Sequence, residues 1–253
     1  MKITIYTLLF LFFITTSFSQ GFKNEQLRYP RVRTAYSNKY QFIDSLFKTK
    51  GVNLSSCKVF IRAFKFEEIL EVWAKNPGDS IFTHIKDYKF CASSGVLGPK
   101  RKQGDGQIPE GIYYINKFNA WSGFHLALGI NYPNKSDIIL GDKTDPGNLI
   151  FIHGKCCTIG CIPITDDKIE ELYIICVEAK NANQKEIPVH IFPFRFTDKR
   201  INWLNNNYNG DETLISFWNN LKDIYLNFEH THNIFKINID SNGNYIIDTN
   251  TKE

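Results

Sequence analysis

Three features that would assign the chain to a simple class are missing from its sequence. Beyond the N-terminal segment there is no apolar run approaching the ~20 residues that a membrane-spanning helix needs. The charges nearly balance, with 30 lysines and arginines against 26 aspartates and glutamates, so the net charge of +4 gives no reason to expect a nucleic-acid partner. Internal repeats and low-complexity linkers are also missing. The apolar and aromatic content is nevertheless ample for a folded core.

The N-terminus carries the signals of an export leader. Lys2 supplies a positive charge, and Leu8–Ile14 is a short apolar core. Ser17 and Ser19 are small residues at the two positions that a signal peptidase recognises before its cleavage site. We therefore predict a signal peptide over residues 1–19 and a secreted, periplasmic protein. The apolar core is too short for a membrane anchor, and no cysteine follows it at a lipoprotein cleavage site. No stable anchor is expected after cleavage.

The chain has six cysteines but no CxxC pair, the spacing that most often marks a zinc site. In an exported protein six cysteines usually indicate disulfides, although this spacing does not match a small disulfide scaffold. Cys57, Cys91 and Cys176 lie in apolar segments and are predicted to be core residues. The other three crowd into one short segment, where a Cys156–Cys161 disulfide is conceivable.

Short strand patterns dominate the middle of the chain. Apolar runs bounded by glycine and proline predict a hairpin followed by five further strands. The hairpin strands are Lys58–Phe64 and Ile69–Ala74, and the others are Tyr88–Ser93, Gly111–Lys117, Phe124–Ile130, Leu149–His153 and Pro188–Phe192. A helix pattern opens after Cys161, at Thr165–Asp167. We therefore predict an α+β, mainly β fold with a curved sandwich or barrel core over residues 57–194.

Helical patterns flank this core. Residues 20–56 are predicted to form an N-terminal helical segment, with a helix from Tyr36 to Lys50 that Gly51 ends. Near the other end, Asp211 is predicted to cap a long amphipathic helix. Two strand patterns joined by Asn242-Gly243 then indicate a hairpin. Residues 195–253 are thus predicted to form a subdomain of helix and hairpin that packs on the core.

The segment Ile152–Pro163 concentrates the chemistry. His153 ends a strand pattern, and Cys161 follows a glycine-containing turn. A thiol needs a neighbouring base or imidazolium to become a nucleophile, and the N–H groups of Gly160 and Cys161 could hold a developing oxyanion. Spacing alone nevertheless favours an ordinary strand-end histidine and a buried cysteine. A metal site formed by His153 and the three cysteines is a third interpretation, although adjacent cysteines chelate one zinc ion poorly.

Several motifs occur in a recognisable order. His153-Gly154 followed by Thr158-x-Gly160-Cys161-Ile162 resembles the catalytic motif of the L,D-transpeptidase (YkuD-type) domain family. Upstream, Gly104–Tyr113 is similar to the strand entry of that family, with Ile108 in the place of a threonine. The segments that resemble its YafK-like branch are Phe60–Arg62, Leu70–Trp73, Ser94–Arg101, Phe124–Leu126, Asn131–Asn134 and Ile187–Pro193. Ordered motifs across residues 57–194 indicate the family far more strongly than one motif does.

The resemblance implies an exported cysteine enzyme that acts on peptidoglycan stem peptides, without a metal or a cofactor. Cys161 would be the nucleophile that forms an acyl-enzyme, and His153 would be the base. Gly154 would provide the main-chain contact that orients the histidine, and Thr158 would shape the loop. The N–H groups of Gly160 and Cys161 would form the oxyanion hole.

Two positions depart from the usual family pattern. Ile159 stands where most members carry a second histidine, and Pro163 stands where an arginine usually follows the cysteine. The loop between His153 and Cys161 is also shorter than in most members. Two alternatives to a transpeptidase stay open. One is a hydrolase or amidase of the same fold that cleaves a diaminopimelate linkage, and the other is a non-catalytic cell-wall binding protein with a structural cysteine cluster.

Three further residues are weaker candidates for substrate binding. His125 in a predicted strand could border the cleft or be structural, and Tyr132 lies on a predicted turn. Arg101 belongs to a basic run that could attract stem-peptide carboxylates, although so short a run is usually a solvated loop. The segment Glu229–His232 resembles a metal pair only superficially, and Asp240–Asn244 lacks the acidic spacing of a calcium loop. The sequence does not indicate an oligomeric state.

Overall fold

The computed structural model describes residues 21–208 and 211–252, so the predicted signal peptide over residues 1–19 lies outside the described residues. The helices are α1 Phe22–Gln26, α2 Pro30–Thr49, α3 Lys135–Leu140, α4 Asp166–Asn181, α5 Asp198–Asn207 and α6 Glu212–Thr231. The strands are β1 Lys58–Phe64, β2 Ile69–Lys75, β3 Thr83–Lys89, β4 Gly111–Asn119, β5 Ala127–Ile130, β6 Phe151–His153, β7 Ile162–Pro163, β8 Pro188–Phe192, β9 Phe235–Ile239 and β10 Tyr245–Lys252. Within these ranges no helix is long and apolar enough to cross a membrane.

Eight strands form one mixed sheet, in the order β3-β2-β1-β8-β4-β5-β6-β7. The pairs β1/β8 and β6/β7 are parallel, and the other neighbours are antiparallel. The two ends of this order meet, because the Cys91 N–H just after β3 donates to the Pro163 carbonyl of β7 at 2.9 Å. The sheet is therefore curled into a half-barrel, and the predicted α+β fold with a curved, mainly β core is confirmed.

Alternating side chains along the central strands divide the apolar residues between the two faces of the sheet. In β1, Val59 and Ile61 belong to the larger core, whereas Phe60 and Phe64 lie on the opposite side. We call the side toward the larger core the inner face and the other side the outer face. Because both faces are covered here, β1 is buried from Val59 onward, which matches its nearly continuous apolar sequence.

Helices α2 and α4 pack together and cover the inner face. The carboxylates of Asp166 and Asp167 lie in the first turn of α4, where they suit the positive end of the helix dipole. Further along this helix, Ile169 and Leu172 are fully buried, and each such side chain contributes roughly 1.5–3 kcal/mol to folding. The helix that follows Cys161 is thus firmly anchored in the core.

Helix α6 and the β9–β10 hairpin lie on the outer-face side, where Trp218 and Tyr225 join a second core. The predicted helix cap is confirmed, since the Asp211 carboxylate accepts the Leu214 N–H at 3.0 Å. The predicted hairpin is also present. Sequence reasoning missed α5, because its run of asparagines is typical of turns. The boundaries proposed at residues 56/57 and 194/195 stay predictions.

Three predicted strands start at a different residue in the structure. Strand β3 covers Thr83–Lys89 rather than Tyr88–Ser93, β5 begins three residues later than predicted, and β6 begins two residues later. For β5 and β6 the physical reason is the same. His125 and Leu149 have positive φ angles of 71° and 56°, which a strand does not accommodate. The two backbone bends lie beside the predicted catalytic residues.

The cysteines divide into structural and accessible groups. Cys57 and Cys176 are buried free thiols, as predicted. The prediction of a core role for Cys91 is wrong, because Cys91 forms a disulfide with Cys156 over a Cα–Cα distance of 5.2 Å. The curl of the sheet creates this contact between distant segments, and no local pattern contains it. The conceivable Cys156–Cys161 disulfide is not formed, which leaves the Cys161 thiol free.

Candidate active site

The predicted catalytic residues flank a loop between two parallel strands. His153 is the last residue of β6, and Cys161 immediately precedes β7. The pairing of Ile152 with Ile162 sets the two strands side by side. Sequence reasoning missed β7, which separates Cys161 from the start of α4 at Asp166. The loop therefore leaves and returns to the same edge of the sheet.

His153 and Cys161 line the same cavity, which has a volume of about 260 Å³ and which we call the catalytic cavity. Its other lining residues are Asn119, Ser122, Gly123, Phe124, Ala127, Leu149 and Phe151. Two phenylalanines, a leucine and an alanine make the walls largely apolar. A ligand in such a cavity would lose contact with water, which would strengthen its electrostatic interactions with the walls.

His153 is held in one tautomer by its own loop. Its Nδ1 atom lies 2.5 Å from the Gly154 carbonyl oxygen, so Nδ1 carries the hydrogen and donates it. That leaves the Nε2 lone pair as the basic site. The Phe124 ring lies 4.6 Å from the imidazole, centroid to centroid. Burial lowers the pKa of His153, although the bond to Gly154 opposes the shift, so the imidazole is neutral near pH 7.

Cys161 carries a neutral thiol in the same surroundings. Burial raises the pKa of this thiol, while the Phe151 N–H and the Lys100 ammonium oppose the shift. The Phe151 N–H points at Sγ over 3.4 Å. Burial thus favours the uncharged forms of both groups, a thiol on Cys161 and a neutral imidazole on His153.

The resting protonation states predict how Cys161 reacts with iodoacetamide. Only the thiolate is alkylated, and its fraction is small below the raised pKa. Between pH 6 and pH 8 the rate constant for Cys161 should therefore rise about tenfold per pH unit. Mass spectrometry of the Cys161 peptide measures it, and a Cys157→Ala background removes the neighbouring exposed thiol. A rate that is flat from pH 5 to pH 8 would show a preformed ion pair instead.

Thr158 organises the backbone on the other side of the loop. Its hydroxyl accepts the N–H groups of Gly160 at 3.1 Å and Cys161 at 2.8 Å, and donates to the Cys161 carbonyl at 2.8 Å. These are the two N–H groups predicted to form the oxyanion hole. In this structure they already have an acceptor, so an oxyanion would have to take the place of the Thr158 hydroxyl. The loop-shaping function of Thr158 stays a prediction.

Two glycines permit close approaches that no other residue allows. Gly160 has a φ of +132°, and a Cβ atom there would lie 2.9 Å from the Gln107 carbonyl oxygen. At Gly154 a Cβ atom would lie 2.5 Å from the Asp166 carboxylate. That carboxylate accepts the Lys155 N–H at 2.8 Å and so ties the start of the loop to the start of α4. Both glycines are needed for this loop shape.

The disulfide fixes the middle of the loop. Cys156 is bonded to Cys91, which removes it from the metal-ligand set considered from the sequence. Cys157 is an exposed free thiol. Across the described ranges no group of three or more histidine, cysteine, aspartate or glutamate side chains is arranged to hold a metal ion. The loop is thus held at its two ends and at its centre.

The three weaker candidates lie outside the walls of the catalytic cavity. His125 pairs through Nε2 with the Glu170 carboxylate of α4 at 2.8 Å. Tyr132 is buried and donates to the Pro146 carbonyl at 2.6 Å, although its side chain lines a neighbouring cavity. The Arg101 guanidinium lies 3.8 Å from the buried Asp137 carboxylate and over the ring of Phe217. The structure therefore does not bring these residues to the thiol.

Several residues of the site were not predicted. Phe151 alternates with Ile152 along β6 and shares the side of His153, so the period of a strand could have identified it. Phe124 and Ser122 lie in the irregular segment before β5, where no periodicity predicts side-chain direction. The contact between the Phe151 N–H and Sγ depends on the parallel pairing of β6 and β7, which the sequence did not reveal.

The curled sheet and the cavity define the class of protein. It is a domain with a mainly β core that holds a histidine and a free cysteine in one cavity. Residues 65–191 match the family of the L,D-transpeptidase catalytic domain (YkuD). The chain is also 34% identical, over 196 residues, to the protein YafK of Escherichia coli, which is provisionally named an L,D-transpeptidase. This similarity covers 77% of the chain and 75% of YafK. The chain therefore belongs to the L,D-transpeptidase (YkuD) family, and the resemblance found in the sequence is confirmed.

Two solved structures are more distantly similar. The helical cell shape determining protein Pgp2 from Campylobacter jejuni is 18% identical with a TM-score of 0.43, covering 78% of this chain and 80% of that one. Bd1075 from Bdellovibrio bacteriovorus is 21% identical with a TM-score of 0.40, covering 68% and 62% respectively.

Proposed function

We propose that this chain is an exported cysteine L,D-transpeptidase that acts on peptidoglycan stem peptides through an acyl-enzyme on Cys161. The observation that carries the proposal is the position of His153 and Cys161 in one cavity of a YkuD-family domain. The tautomer of His153 adds support, because its Nε2 is left as the basic site.

The proposed reaction has two acyl-transfer steps. As Sγ of Cys161 attacks the peptide carbonyl, Nε2 of His153 takes the thiol proton. The tetrahedral intermediate collapses when the imidazolium returns that proton to the leaving amine, and a thioester remains on Cys161. A second amine then attacks the thioester, gives a proton to His153, and leaves with the acyl group as the thiol is restored. Each step needs the imidazole and the thiol in the same cavity.

The oxyanion of each step needs hydrogen-bond donors that point at it. The N–H groups of Gly160 and Cys161 are the proposed donors, and both donate to the Thr158 hydroxyl oxygen before substrate arrives. Transfer of these hydrogen bonds from a neutral hydroxyl to an oxyanion would strengthen them, because charge-assisted hydrogen bonds are roughly twice as strong. The interaction would thus favour the transition state over the resting enzyme.

The walls of the cavity support transfer to an amine over hydrolysis. Phe124, Leu149 and Phe151 give the cavity beside the thiol an apolar wall, which would disfavour an ordered water next to a thioester. An acceptor stem peptide can displace water from the same surface, whereas a hydrolase needs an ordered water beside the thioester. A hydrolase or amidase of the same fold is the alternative that the experiment below must separate.

Export is part of the proposal. The leader pattern over residues 1–19 predicts it, and the Cys91–Cys156 disulfide is of the kind that persists in oxidising compartments. A periplasmic location would also bring the protein to its proposed substrate.

Incubation of the purified mature protein with disaccharide-tetrapeptide muropeptides, with and without an acceptor amine, tests the function. We expect cross-linked or amine-capped products, identified by liquid chromatography and mass spectrometry, together with release of the terminal residue. Hydrolysed products that do not respond to the acceptor would assign the chain to the hydrolase alternative. Unchanged muropeptides, with Cys161 shown to be reduced, would contradict both activities and favour a non-catalytic binding protein.

A further inference from the structure

We infer that the outer face of the sheet carries a glycan-binding subsite at the end of a trough that begins at the catalytic cavity. The inference rests on the proposed function and adds the sugar part of the substrate to it. The subsite is a cavity of about 270 Å³ between β4, β8 and β9, here called the hairpin cavity. Its lining includes Tyr114, Asn131, Lys135, Glu186 and His190.

Strand register places the two cavities on the same face. In β4, Ile112 and Tyr114 pair with His190 and Pro188 of β8, and they alternate with the larger-core residue Tyr113. A bulge after Ile115 adds one residue to β4 and so shifts the alternation, which brings Asn119 to the same face as Tyr114. There Asn119 pairs with Ala127, which in turn pairs with His153. Tyr114 and His153 therefore both lie on the outer face.

A third cavity fills the interval between them. It has a volume of about 260 Å³ and is lined by Asn116, Lys117 and Gly129 among others. It shares Leu149 and Phe151 with the catalytic cavity, and its Ile130 is next in sequence to Asn131 of the hairpin cavity. The three cavities thus follow one another along β4. This order is the path of the proposed trough.

The interval between the catalytic cavity and the hairpin cavity matches the length of a donor stem with its link to the sugar. Asn119 and Tyr114 are five residues apart in an extended strand, which corresponds to about 17 Å. Three extended α-linked residues reach about 10 Å, and the γ-linked residue and the lactyl link of a donor stem lengthen this path. A stem peptide whose attacked carbonyl lies at Cys161 therefore brings its sugar end to the hairpin cavity. The part of the polymer that continues into that cavity is the glycan.

The lining of the hairpin cavity suits a sugar. The partly exposed ring of Tyr114 offers an apolar surface, while Asn131, Lys135 and Glu186 supply an amide, an ammonium group and a carboxylate. His190 is only 4% exposed, and its Nδ1 has no hydrogen-bond partner among the described residues. A ligand hydroxyl that reached this nitrogen would satisfy a buried group that has no other partner there.

The surroundings allow a polymer rather than a single small ligand. A wider cavity of about 870 Å³ shares Glu186, Pro188 and Ile234 with the hairpin cavity. Its lining also includes Lys58, Lys185 and Lys236. A glycan strand can thus enter on one side of the hairpin cavity while its stem peptide leaves toward Cys161 on the other.

A donor comparison tests the subsite. For the wild type we expect a lower KM with a disaccharide-tetrapeptide than with the same tetrapeptide lacking sugar. Tyr114→Ala should raise the KM for the sugar-bearing donor about three- to tenfold, because it removes an aromatic contact, and leave kcat and the free-peptide KM unchanged. Tyr114→Phe should retain most of the effect. Phe42→Ala, an exposed aromatic on helix α2, is the matched control.

Binding measured without turnover separates failure of the subsite from failure of the proposed function. Glycan strands freed of stem peptides are titrated into the Cys161→Ala protein, with and without Tyr114→Ala, by calorimetry. Saturable binding that Tyr114→Ala weakens supports the subsite even if no muropeptide is turned over. Equal KM values for both donors, or no glycan binding by the folded protein, would overturn the proposed subsite. The trough would then bind only the peptide part of the substrate.

Discussion

Cys161→Ala is expected to abolish the turnover of muropeptides, by at least about 10⁴-fold relative to the wild type, since removal of a covalent nucleophile typically costs this much or more. Without the thiol no thioester can form, and His153 has no proton to accept. The measurement is the rate of product formation by liquid chromatography and mass spectrometry. Cys161 is only partly buried and lies outside the described core clusters, so the variant should retain the fold.

Cys157→Ala is the matched control for this prediction. Cys157 is an exposed free thiol four residues before Cys161, and it does not line the catalytic cavity. Its removal should leave turnover unchanged. If Cys161→Ala retained the wild-type rate, or if Cys157→Ala removed activity while the melting temperature stayed the same, the assignment of the nucleophile would be wrong.

The residues of the candidate site could be predicted because a short motif is accompanied by other family motifs in order across residues 57–194. His153, Gly154, Gly160 and Cys161 fall within nine consecutive residues of that region. The structure places His153 and Cys161 on one cavity, while their roles in the reaction stay predictions. Local apolar runs predicted β1, β2 and β8 for a similar reason, since each is a short segment with its own pattern.

Features that depend on distant segments could not be predicted from local patterns. Lys100 is the clearest case, because a basic run usually indicates a solvated loop, yet this side chain is buried. Its ammonium group donates to the Asp105 carboxylate at 2.7 Å and the Lys102 carbonyl at 2.8 Å. The loop folds back on itself to form these bonds. The sequence pattern contains the charges but not the fold of the loop that pairs them.

The pairing of Cys91 with Cys156 has a similar origin. Cys91 follows β3 at one end of the strand order, and Cys156 precedes β7 at the other end. The two residues meet only because the sheet curls. The disulfide therefore joins the two edges of the half-barrel at the loop that carries Cys161, which couples stability to the geometry of the site.

Replacing both Cys91 and Cys156 by serine is expected to destabilise the protein by about 4 kcal/mol, because the bond closes a loop over a sequence separation of 65 residues. For a chain of this size that lowers the melting temperature by roughly 10 °C. Thermal unfolding followed by circular dichroism measures the shift. Reduction of the wild type with dithiothreitol should reproduce it, while Cys157→Ala should not.

The same variant should lose activity at temperatures where it is still folded. With Cys156 released, the loop between β6 and β7 is fixed only near its ends, at Lys155 through Asp166 and at Gly160 and Cys161 through Thr158. A less ordered loop presents the thiol and its neighbouring N–H groups less often in the required geometry, so kcat should fall more than KM rises. Thiol titration under denaturing conditions checks the starting state, with four reactive thiols before reduction and six after it. An unchanged melting temperature and an unchanged kcat after complete reduction would show that the disulfide neither closes the half-barrel nor positions Cys161.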